Sequence, residues 1–128
     1  MEDVESLPQN LYEVLVDFLP EDFKEFGFYA AYTGEGSYGM SLLAKLNDGG
    51  CKNCFAELSA QDTFFLFEDL DGVISKVRNS IKKEDRWNVV KMNVTYDGDF
   101  KIDFEYIDFE KQSSIEHETT WSNKYYGK

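Results

Sequence analysis

The chain has 128 residues, enough for one domain with a sizeable core. Its formal net charge of −12 disfavours contact with nucleic-acid phosphates and suits a basic partner, whose approach charge would steer. No run of about 18 apolar residues is present to span a membrane. The acidic start Met1-Glu-Asp-Val-Glu-Ser lacks the basic and apolar regions of a secretory signal, so the expected location is cytoplasmic.

Leu11, Val14, Leu15 and Phe18 recur at helical spacing, with Pro8 near the first turn and Pro20 beyond the end. Glu21 to Phe26 reads as a turn or short helical piece. Gly27-Phe-Tyr-Ala-Ala-Tyr32 is aromatic and reads as a strand. Thr33-Gly-Glu-Gly-Ser37 is a turn, Tyr38 to Leu46 a second strand, Asn47-Asp-Gly-Gly50 another turn, and Cys54 to Leu58 a third strand. Ser59 and Asp62 form a helix-capping pair. Behind them Phe64, Phe67, Leu70, Ile74, Val77 and Ile81 make one apolar stripe on a long helix, with Gly72 inside it. Lys82, Lys83 and Arg86 cluster at its end, where cations suit the helix dipole.

Val90, Met92, Val94 and Tyr96 then alternate with Val89, Lys91, Asn93 and Thr95. Past Asp97-Gly-Asp99, Phe100, Ile102, Phe104 and Tyr106 alternate with Lys101, Asp103 and Glu105. Period-two alternation gives each strand one apolar and one wet face, and Asp-Gly is a hairpin signal. A two-residue turn would mix the faces. A three-residue loop places Tyr96 opposite Phe100, Val94 opposite Ile102 and Met92 opposite Phe104. From Ile107 to Thr120 the segment is polar. Trp121, Tyr125 and Tyr126 close the chain at near-helical spacing, a cluster expected to dock onto the core. Tight turns and amphipathic helices together predict an α+β fold, an antiparallel sheet of four to five strands with two main helices packed on one face, in a single domain over residues 1–128.

Candidate chemistry is sparse. Gly34-Glu-Gly36 and Gly39 form a loose glycine motif between strands that opens no helix, so it reads as a hairpin turn and not a phosphate cradle. Cys51-Lys-Asn-Cys54 could be half a zinc site or a redox pair, but zinc wants four ligands and the chain adds only His117. The pair reads as two thiols in a loop leading to a strand. His117, between Glu116 and Glu118, reads as a solvated surface group rather than a catalytic one. The acid pairs Glu21-Asp22, Glu68-Asp69 and Glu84-Asp85 read as solvated charge, and Asp97-Gly-Asp99 lacks the remaining ligands of a calcium loop. No catalytic, metal or cofactor residue is assigned. What remains is the acidic set of the C-terminal hairpin and following segment: Asp97, Asp99, Asp103, Glu105, Asp108, Glu110, Glu116 and Glu118, against Lys101 and Lys111. A cationic partner would relieve such a cluster. The bland alternative is a charged strand that protects a sheet edge.

Several stretches resemble the YezG-like (EsaG-like) family of bacterial toxin-immunity proteins. They are Leu11-Tyr-Glu and Leu19-Pro-Glu, Phe28-Tyr29-Ala30, Trp87, Tyr96-Asp-Gly-Asp-Phe-Lys-Ile-Asp-Phe104, Glu118-Thr-Thr-Trp121 and Lys124-Tyr125. The order holds over nearly the whole chain, and Tyr38 to Leu58 departs from the usual wording. The resemblance implies a non-enzymatic antitoxin that binds and neutralises a cognate toxin, often a nuclease. The acidic set is then the expected contact with a basic toxin surface. The runner-up reading is an acidic chaperone or adaptor for a secreted partner protein. Oligomeric state is left open.

Overall fold

The computed structural model describes residues 4–34 and 37–126. The fold is α+β, as expected, with five strands and a third helix beyond the two expected. Contacts divide it into two compact units, residues 1–19 with 55–86, and residues 20–54 with 87–128.

The first unit is helical. Helix α1 (Leu7–Leu15) carries Pro8 in its first turn and runs on into a 3-10 turn, Val16–Phe18. Its buried stripe is Leu7, Leu11 and Leu15, four residues apart on one face. Helix α2 (Ala60–Asn79) is capped as expected: the Ser59 hydroxyl accepts from the Asp62 N–H at 3.0 Å. Its buried stripe is Leu66, Leu70, Ile74 and Val77. The expected stripe started one face over. Phe64 is 58% exposed, Phe67 is half-buried against the Phe55 ring at 5.5 Å, and Ile81 lies past the helix end. Leucine and aromatic residues at every position from 64 to 67 leave spacing alone unable to choose the inner ones. The last-turn cations are Lys76 and Arg78. Arg86 instead donates from Nη2 to the Ile81 carbonyl at 2.9 Å.

The second unit is an antiparallel sheet ordered β3-β2-β1-β4-β5, with helix α3. The strands are β1 (Phe23–Gly34), β2 (Ser37–Leu46), β3 (Cys51–Asn53), β4 (Val89–Thr95) and β5 (Phe100–Glu105). Strand β1 is central and starts at Phe23, inside the stretch expected to be a turn. A register shift between Phe23 and Glu25 lets the chain enter the sheet there. Phe26, Phe28 and Ala30 on one face and Tyr29 and Ala31 on the other are all buried, which is why this run shows no polar alternation. Strand β3 is Cys51–Asn53, not the expected 54–58, which forms turns. Cys51 therefore sits exposed on an edge strand, and Cys54 is buried just after it. The expected turn at 33–37 includes Glu35 and Gly36, which lie outside the described residues.

Strands β4 and β5 keep the expected faces but shift partners by two residues. Val94 faces Phe100, Met92 faces Ile102 and Val90 faces Phe104. The cause is Gly98, whose φ of +96° fits the last position of a three-residue loop, so that loop is 96–98 and not 97–99.

The expected polar segment closes as helix α3 (Ser114–Tyr126). The Ser113 hydroxyl accepts from the Glu116 N–H at 3.1 Å, a cap that the Ser113…Glu116 spacing encodes. Trp121 docks as expected, in a cluster with Tyr29, Ala31 and Val89 that Leu43, Ile107 and Phe109 complete. The Trp121 and Tyr29 rings lie 5.2 Å apart. The side chains of Tyr125 and Tyr126 lie outside the described residues. The face of β4 expected to be wet is thus partly covered: Val89 is fully buried there.

Candidate partner-binding surface

The eight expected acids do not form one cluster. They separate into a hairpin-turn group, a loop group and an inward group. Strand β5, five residue steps of roughly 3.4 Å, holds the first two about 17 Å apart.

Thr95 and Gly98 build the turn. The Thr95 N–H donates to the Asp99 carbonyl at 2.8 Å, and the Gly98 N–H donates to the Thr95 carbonyl at 3.0 Å. The Thr95 hydroxyl donates to the Asp97 carboxylate. That bond is the main reason the Asp97 carboxyl is held below the usual carboxylate range, with backbone N–H groups of Asp97 and Asp99 assisting. Asp97 and Asp99 are both exposed. Beside them Tyr96 is 72% and Phe100 59% exposed. Alternation had placed both rings on the apolar face. The true loop carries Tyr96 out of the strand, where its N–H donates to the Lys24 carbonyl at 2.9 Å.

The loop group follows β5. The Asn88 side chain clamps the chain there: its Nδ2 donates to the Ile107 carbonyl at 2.7 Å, and its Oδ1 accepts from the Ile107 N–H at 2.9 Å. A turn then forms in which the Asp108 carboxylate accepts from the Glu110 N–H at 3.0 Å. Asp108, Glu110 and Glu116 are exposed, and so are Tyr106 and Ile115.

In the third group, Glu105 and Glu118 are engaged between the sheet and α3, while Asp103 is half-buried on β5. Glu105 pairs with Lys91 at 2.7 Å, and the Ser41 hydroxyl donates to Glu118 at 2.9 Å. Asp103 stands 4.0 Å from Lys101. Between Glu105 and Glu118 lies His117, which is buried rather than solvated. Its Nδ1 is hydrogen-bonded to the Tyr29 hydroxyl at 2.8 Å, and its Nε2 is 3.8 Å from Glu105. Burial, then the charges of Glu118 and Glu105, push the Tyr29 hydroxyl far above the ordinary tyrosine range. A tyrosine acting as a base or nucleophile needs the opposite shift. The Tyr29–His117 pair is therefore a buried polar tie between sheet and helix.

Residues 4–128 match the family described as Immunity protein YezG-like. The chain belongs to the YezG-like immunity protein family. No curated protein matches the sequence. Immunity proteins have toxin partners and are generally not enzymes. No helix among the described residues is long and apolar enough to cross a membrane.

The outward remainder of this YezG-like chain's acidic set falls in two stretches. Asp97 and Asp99 with Tyr96 and Phe100 make one patch. Asp108, Glu110 and Glu116, like Tyr106 and Ile115, are exposed along the segment that follows β5. The exposed rings were missed in sequence because alternation treats every apolar position of a strand alike, up to its ends.

Proposed function

We propose that this protein is a cytoplasmic antitoxin that neutralises a cognate toxin, a nuclease domain with a basic surface, by binding it through the β4–β5 turn. The observation that carries the reading is the turn itself, where two exposed aromatic rings, Tyr96 and Phe100, flank the exposed carboxylates of Asp97, held by the Thr95 hydroxyl, and Asp99. Interface energy concentrates in aromatic anchors, while charges steer the encounter and choose the partner. Nuclease sites that hold phosphate backbones are cationic, and a rigid acidic turn is complementary to one. Glu105 and Glu118, occupied in the fold, contribute through the placement of α3 and not by contact.

The test is co-purification with the product of the neighbouring upstream reading frame, assaying its nuclease activity as this protein is added. One-to-one binding with loss of activity is the expected result. Binding without inhibition favours the chaperone or adaptor reading, and absence of binding contradicts both.

A further inference from the structure

A separate surface lies in the helical unit. The end of α1, the 3-10 turn after it and the first turns of α2 enclose a groove of about 410 Å³. Its floor is apolar: Val14, Phe18, Phe65 and Leu66. Phe65 is 52% exposed, and its neighbour Phe64, 5.7 Å away between ring centroids, lies outside the buried stripe as well. Large apolar groups left together in water at a concave site mark a binding surface more often than an idle one.

The rim decides what fits. Glu13, Asp17, Asp62 and Asp69 stand around this floor, and no lining residue is basic. A second copy of a chain with a net charge of −12 would bring like charge to that rim, and nucleic acid would bring phosphates. A cationic peptide with apolar side chains at helical spacing meets both features, its anchors on the phenylalanine floor and its lysines or arginines against the carboxylates. We propose that the α1–α2 groove docks a basic amphipathic segment of a partner protein, as a recognition site additional to the hairpin turn. The identity of that partner as a toxin rests on the proposed function. The groove's chemistry does not.

The test uses the full chain and a fluorescein-labelled synthetic helix of leucine and lysine, leucines at three-four spacing, followed by anisotropy at physiological salt. A scrambled peptide of the same composition and an all-lysine peptide are the controls. The expected result is saturable binding at least about tenfold tighter than either control. Phe65→Gln and, from the opposite requirement, Asp69→Lys each weaken it about tenfold, and the charge-matched variant Glu84→Lys, at an exposed acid outside both surfaces, leaves it unchanged. Both groove positions are exposed, and circular dichroism checks that each variant is folded. Equal affinity for the all-lysine peptide, or indifference to Phe65→Gln and Asp69→Lys, overturns the proposal. Concentration-dependent self-association that Phe65→Gln abolishes overturns it in favour of a second copy of the chain. If groove binding holds while no toxin is inhibited, the antitoxin reading fails alone.

Discussion

At the scale of single residues, the fold depends on two groups whose chemistry is set by position. Tyr29 places its ring beside Trp121 and its hydroxyl on His117. Phenylalanine keeps the ring and leaves the His117 Nδ1 without that partner. Tyr29→Phe is expected to cost about 1–3 kcal/mol in urea unfolding at neutral pH. Because folding raises the Tyr29 ionisation range, the native hydroxyl stabilises the fold below the unfolded tyrosine value and loses that contribution as pH rises above it. The stability gap between wild type and Tyr29→Phe should therefore narrow in alkali; a gap constant with pH contradicts the burial assigned to Tyr29. Gly98 is the second such group. An added Cβ meets open space there, so the cost of Gly98→Ala is the left-handed backbone alone, about 1–2 kcal/mol, and Gly98→Asn should recover part of it.

At the scale of elements, those same residues explain which features can be read from sequence. Helix α1 and the Ser59 cap of α2 were readable because a four-residue repeat and a capping oxygen act locally. The hairpin faces were readable for the same reason. Its register was not, because alternation is satisfied by any even shift and only the φ at Gly98 chooses among them. The acidic surface was half readable: composition marks the charges, but whether Glu105 and Glu118 point to water depends on partners distant in sequence, Lys91 on β4 and Ser41 on β2. Helix α3 itself left a signal in the Ser113…Glu116 cap and in His117 and Trp121, one turn apart and both buried. It is mostly polar, so docking by Trp121 holds it. Trp121→Ala should cost about 3 kcal/mol or more, with α3 amides losing hydrogen-exchange protection before those of β1. Simultaneous loss in both would mean that α3 is not a separable layer.

At the scale of the whole molecule, charge and aromatic exposure point the same way. The net charge of −12 gives any basic partner a long-range attraction that salt screens over about 8 Å at physiological ionic strength. In the proposed reading, the exposed rings are where that partner docks. The family assignment supplies the class of partner, a toxin. A binding protein of this design should associate more slowly as salt rises, while substitution of an aromatic anchor should act mainly on dissociation. The measurement that bears most directly on the antitoxin claim is a titration of toxin nuclease activity with wild type, with Asp97→Lys/Asp99→Lys and with Tyr96→Ala. The account predicts stoichiometric inhibition by wild type, and inhibition weakened about tenfold or more by each variant without loss of fold. Full inhibition by both variants would contradict the β4–β5 turn as the toxin-binding surface.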